Sequence, residues 1–142
     1  SKKSDFSSLR KGFDDKVRAH RAEETIITSL QNNPDFLKII EPQLTPEEFP
    51  SDFYRHAYKV FSERIKSGQS LDFIYLSSEF SPEEMGHLVK LQNSGAMISN
   101  TKAEVEDSIK VLKEENKKSQ QTKNAAELSD EEFLKLFNNK DV

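Results

Sequence analysis

Imidazole, carboxylate and hydroxyl groups are the side chains of this sequence with the chemistry to act on a substrate or hold a metal. The three histidines, His20, His56 and His87, fall in separate predicted elements, and none has a second histidine three or four residues away. Paired metal ligands on a helix need that spacing to share one face, so surface or interface positions are favoured over a centre assembled from all three. The carboxylates lie mostly in helix-start motifs or on Glu/Lys-rich faces, where they already have a structural role. Ser and Thr lie mainly at caps and turns, and none sits in a nucleophile-elbow context. With no cysteine there is no disulfide, no thiolate zinc site and no thiol nucleophile. Four glycines, no two close together, leave no phosphate-cradling loop. The aromatic set Phe53, Tyr54, Tyr58 and Phe61 lacks interleaved Arg, so it reads as core rather than as a base-stacking platform. These residue types in this pattern predict a non-catalytic domain without a metal or other cofactor.

The elements that position these residues are punctuated by helix starts. "TPEE" at 45–48 and "SPEE" at 81–84 place a hydroxyl at the N-cap, Pro at the first helical position and Glu at the third. "TKAE" at 101–104 and "SDEE" at 129–132 repeat the hydroxyl-to-Glu spacing, and "NPDF" at 33–36 adds an Asn-Pro start. In each motif the side-chain oxygen accepts from an orphan backbone N–H, and Pro loses no donor the helix needs. Apolar periodicity agrees. Ala22, Ile26, Ile27 and Leu30 form one stripe, Phe36, Leu37 and Ile40 a shorter one, and Tyr54, Tyr58, Phe61 and Ile65 the richest. Gly68 reads as a helix stop. "LDFIYL" at 71–76 has strand-like composition but no second strand to pair with, so it reads as a short buried helix. Met85, Leu88, Val89 and Leu91 continue the bundle, and "NSGA" at 93–96 breaks it. A long helix starts near Lys102 with Val105, Ile109 and Leu112 on one face. The class is all-α: a bundle of short helices, then a long helix and a short C-terminal helix that form a hairpin-like tail.

The 142 residues are 34% hydrophobic and 32% charged, so the core is modest and part of the chain is solvated. A net charge of −4 argues against nucleic acid as the main ligand, since phosphate binding runs on clustered Lys and Arg. Residues 1–21 are basic and Ser-containing, a composition that predicts a solvated linker. The expected organisation is a linker over 1–18, a helical bundle over 19–100 and a C-terminal helix pair over 101–142. No apolar run approaches transmembrane length and no signal-type apolar centre is present, which predicts a cytoplasmic protein without membrane contact.

The stripe of the long helix stops at Leu112, and from Lys113 to Glu127 only Ala125 and Ala126 are apolar. Beyond that polar stretch, "SDEEFLKLF" carries Phe133, Leu136 and Phe137 at i, i+3 and i+4, with Leu134 on the flank and Lys135 toward solvent. These residues, with Glu131 ahead of them, are the candidate partner-binding site. Each large side chain gains roughly 1.5–3 kcal/mol on burial. Reduced by association costs, three of them suit a reversible micromolar contact.

From Arg21 onward, "RAEETIITSLQNNPDFLKII", "LTPEEFPSDFYRHAYKVFSERIKSG" and "LDFIYLSSEFSPEEMGHLVKL" resemble the C-terminal helicase-binding domain of bacterial DNA primase of the DnaG type. The order matches over about residues 19 to 115. An Ala-Glu-rich helix runs into Asn-x-Pro-x-apolar, a Pro-Glu-x-Phe segment follows, and an aromatic helix ends in a lone Gly. The resemblance implies one domain of a primase, a DNA-directed RNA polymerase, working at the replication fork in the nucleoid. Its terminal helix pair would dock on the N-terminal domains of the ring-shaped replicative helicase, with single-strand-binding protein a further candidate partner. The same fold occurs in the N-terminal domain of the replicative helicase itself, which is the alternative. An unrelated all-helical scaffold is the reading from another class.

Overall fold

A computed structural model of the chain describes the backbone of residues 2–95 and 100–140 and the side chains of 7–94 and 100–124. Among the described residues the structure is all-helical: α1 (Lys2–Asn32), α2 (Leu37–Ile40), α3 (Asp52–Lys66), α4 (Phe73–Leu76), α5 (Pro82–Gly95) and α6 (Lys102–Lys140). Single 3₁₀ turns occupy Pro34–Phe36 and Pro46–Glu48.

The start motifs act where the chain must turn into a helix. Asn33 Oδ1 accepts from the Asp35 N–H, 3.2 Å away, at the first 3₁₀ turn. The Thr45 N–H donates to Glu48 Oε1 at 3.0 Å, and this Pro-led motif yields a 3₁₀ turn rather than an α-helix. At α5 the box is reciprocal: the Ser81 N–H donates to Glu84 Oε1 and the Glu84 N–H to Ser81 Oγ, at 2.9 and 3.2 Å. Thr101 Oγ1 caps α6 through the Glu104 N–H, 3.2 Å away. Gly68 stops α3 at φ +70°, with its own N–H on the Ile65 carbonyl and that of Gln69 on the Arg64 carbonyl. That pair of bonds is the Schellman arrangement, which needs a residue in the left-handed region.

The core gathers the predicted stripes. Ile26, Ile27 and Leu30 of α1 meet Tyr54, Tyr58 and Phe61 of α3, Leu88 of α5, and Val105, Ile109 and Leu112 of α6, all buried. Leu44 and Phe49, from the turns, close the bundle below α3. The Tyr58 hydroxyl donates to the Leu44 carbonyl at 2.8 Å, and burial pushes its pKa up to about 12. In α4 the helix is as short as expected, but a single turn can bury only one side. Leu76 is inside, whereas Ile74 is 78% and Tyr75 55% exposed.

Two parts of the chain depart from the local reading. Residues 1–18 were expected as a linker, yet α1 is helical from Lys2. Its partner is the far end of the chain, since α1 and α6 make the most extensive helix pair of the fold. Arg18 reaches Glu114 at 3.9 Å and Asp15 reaches Lys118 at 3.3 Å. A step back along α1 is thus matched by a step forward along α6, so the two run antiparallel. At the other end Ser29 Oγ donates to Asn100 Oδ1 at 3.1 Å. The second departure is the tail. The expected separate C-terminal helix starting at Ser129 is not a separate element, because α6 continues through it to Lys140. The intervening Lys, Glu, Gln and Ala are strong helix formers, so "SDEE" falls inside a helix already running and has no start to make.

Candidate protein-interaction surface

The seating of α3 on α1 depends on a buried carboxylate. Glu23 lies one turn from the core stripe of α1 and is 1% exposed. Its Oε2 accepts from the Ser51 N–H at 3.0 Å and its Oε1 from the Ser51 hydroxyl at 2.8 Å. Ser51 is the N-cap residue of α3, so a side chain of α1 satisfies the N–H of that residue, as the Glu of a capping box does within its own helix. Burial raises the Glu23 pKa, against the lowering effect of the Ser51 N–H and hydroxyl. Beside it Arg55 donates from Nη2 to the Phe49 carbonyl at 2.9 Å, while its buried Nε has no partner among the described residues.

Two of the histidines come together and the third does not. His20 of α1 meets the Tyr54 ring edge-on, with centroids 5.4 Å apart. His87 of α5 stacks on Phe53 at 4.1 Å and 3° from parallel, and its Nε2 lies 3.5 Å from the Tyr54 hydroxyl. Burial and the neighbouring His20 lower the pKa of His87, which Glu24 opposes. Burial, with the carboxylates of Glu24 and Glu23, raises that of the Tyr54 hydroxyl. His56 stands apart, with Nδ1 on Glu84 Oε2 at 2.8 Å, linking α3 to the start of α5. Burial pushes the Glu84 carboxyl upward, but the Ser81 N–H and the His56 imidazole outweigh it and hold the pKa below the usual value. These imidazoles join helices. Among the described residues, no group of three or more His, Asp or Glu side chains is arranged to hold a metal ion.

A cleft of about 510 Å³ opens between α1, the 46–51 turn and α6. Glu23 and Arg55 form part of its wall, with Lys16, His20, Glu115 and Lys123 also lining it. Both charge signs alternate around it, and Glu23 is already engaged by Ser51. The Ser51 hydroxyl, which also lines the cleft, donates to that carboxylate and ties α3 to α1.

An exposed apolar stripe on α1 is the other prominent feature. Leu9, Phe13 and Val17 fall four residues apart, share one face, and are 74%, 67% and 39% exposed. They point away from α6, since Asp15 and Arg18 on the same stretch are turned toward Lys118 and Glu114. This surface was missed in the sequence because the basic composition of residues 1–21 reads as a linker. The i, i+4, i+8 spacing within "LRKGFDDKV" was the signal that could have found it. The partner-binding residues expected from the sequence, Glu131, Phe133, Leu134, Lys135, Leu136 and Phe137, have side chains outside the described residues. Their backbone belongs to α6. No helix among the described residues is long and apolar enough to cross a membrane.

A family model described as the DnaB-like helicase N terminal domain matches residues 15–114. No curated protein and no solved structure matches the chain. The family match covers the stretch from mid-α1 to mid-α6 and overturns the resemblance to the primase C-terminal domain, and with it the primase function. The capped helices, lone Gly and aromatic stripe that suggested primase all lie within residues 15–114, so they are features of the family that matches.

Proposed function

The chain belongs to the family of DnaB-like helicase N-terminal domains, and from that premise we propose that it is a non-catalytic docking domain of a replicative DNA helicase. It takes part in DNA replication in the cytoplasm through protein contacts, and carries out no chemistry of its own. The observation that carries this reading is the stripe of Leu9, Phe13 and Val17, carried on a helix that pairs with α6 and left exposed. An apolar face on an ordered helix, away from the core, is what a protein partner covers. Burying each such side chain gains roughly 1.5–3 kcal/mol before association costs, which suits a reversible contact. The net charge of −4 favours a protein over nucleic acid as the ligand.

The primase helicase-binding domain, which docks on helicase N-terminal domains, is the partner this reading implies. Gel filtration of the purified chain with primase from the same organism tests it. Co-migration at micromolar concentration that is lost in a Leu9→Ala/Phe13→Ala variant supports the reading. Independent migration of the two proteins contradicts it.

A further inference from the structure

We propose that residues 7–18 of α1 and 113–124 of α6 form a weakly latched arm, which opens as a unit while the bundle below it stays folded. Among the described residues, the buried positions of α1 begin at Ala19 and those of α6 end at Leu112. Both lie within two residues of the Arg18–Glu114 pair, so the core stops at one level across the two antiparallel helices. Above that level none of residues 7–18 or 113–124 is buried. Leu9, Phe13 and Val17 are turned to solvent, and 113–124 has no apolar residue to meet them. On the side of the 46–51 turn the cleft of about 510 Å³ opens at the base of the arm, lined by Lys16 and Ala19 of α1 and by Asn116, Ser119 and Gln120 of α6. The latch between the halves is ionic: Arg18 to Glu114 at 3.9 Å and Asp15 to Lys118 at 3.3 Å. Arg18, Glu114 and Lys118 are each more than half exposed, and ion pairs so placed contribute little to stability. Each half also carries four cations against two carboxylates, so the two halves have the same sign of net charge. Neither half is long enough to be a stable helix alone, and the α1 half includes Gly12, a weak helix former. A segment with so little buried surface opens at far lower cost than the core. Leu9, Phe13 and Val17 share a face only while α1 is helical, so opening withdraws the docking surface. That consequence rests on the docking reading above, whereas the opening itself does not.

Amide hydrogen exchange of the full chain, read by NMR without any partner, tests the proposal. Protection in 9–18 and 114–124 should be lower than in 26–30 and 105–112 by about tenfold or more. Asp15→Lys, which breaks one latch and adds like charge, should speed exchange about threefold in both halves and leave the bundle unchanged. Asp15→Lys/Lys118→Asp restores an opposite pair and should return both halves to about the original rate. At Gly12 an added Cβ meets nothing within 4 Å. Gly12→Ala should therefore slow exchange about three- to fivefold, in 114–124 as well as in 9–18, because the halves open together. Circular dichroism of each variant checks that the bundle is folded. Exchange of arm and core at one rate overturns the proposal, since the chain would then open only as a whole. Changes confined to the α1 half also overturn it, because the two helices would then fray separately. So does an Asp15→Lys variant with unaltered exchange, which would leave the arm without its latch. If the arm opens as described while Asp15→Lys leaves primase binding unchanged, only the consequence for docking fails. If exchange overturns the opening while primase still binds, the docking reading stands without it.

Discussion

Glu23 on α1 receives both the backbone N–H and the hydroxyl of Ser51, at 3.0 and 2.8 Å, and so holds the start of α3 against α1. Replacing Glu23 by Ala takes the partner from the half-buried Ser51 N–H and hydroxyl. The expected loss is about 2 kcal/mol or more in urea unfolding. Glu23→Gln, which keeps an acceptor oxygen, should lose less.

The two perturbed carboxylates should pull stability in opposite directions with pH. Glu23 is raised from 4.5 by burial, so just above that pH the native state keeps a proton that the unfolded chain has released. Its contribution is complete below 4.5 and falls as pH rises through the folded value. Glu84 is lowered from 4.5, its bonds to Ser81 and His56 outweighing burial. Its contribution is present above 4.5 and is lost as pH falls through the folded value. Unfolding free energies measured across pH should therefore show Glu23→Gln flattening the decline on the neutral side of 4.5. Glu84→Gln should flatten the decline on the acid side.

Stripe and core should respond differently to truncation. Leu9→Ala/Phe13→Ala removes exposed side chains and is expected to change stability by no more than about 0.5 kcal/mol per site. Ile109→Ala, on the buried face of α6, should cost about 2–5 kcal/mol through the cavity it leaves. A large fall in melting temperature for the stripe variant would place those residues in the fold rather than on a docking surface.

At Gly68 a Cβ would meet nothing within 4 Å, but φ is +70°. Gly68→Ala is therefore a test of backbone conformation alone, and about 1 kcal/mol of destabilisation is expected in thermal or urea unfolding.

Continuity of α6 through Ser129 has its own consequence. An N-cap Ser loses about 1 kcal/mol of helix stability when changed to Ala, whereas mid-helix Ala is the better former. Ser129→Ala should thus leave far-UV helicity unchanged or slightly higher. A drop would indicate a helix that begins there.

What the sequence made legible was whatever depends on neighbours in the chain. The box at Ser81, the hydroxyl cap at Thr101, the stop at Gly68 and the Tyr54–Tyr58–Phe61 face are all decided within a few residues, and they stand as read. The helicity of residues 7–18 is not local, for Asp15 finds Lys118 across 103 positions of chain. A basic, polar segment shows no sign of such a partner. Nor does Glu23 look different from its neighbour Glu24 in "RAEETI", because Ser51 lies 28 positions on. The Leu9–Phe13–Val17 spacing is legible, but it lies in a segment whose basic, polar composition reads as a linker; the helix order by itself does not distinguish primase from the family that matches.

Isothermal titration calorimetry of primase into this chain, beside the Leu9→Ala/Phe13→Ala variant, tests the central claim most directly. The account predicts micromolar binding to the unaltered chain and at least a tenfold loss for the variant, with both proteins equally folded by circular dichroism. Binding that is absent, or that is the same for the two proteins, would contradict it.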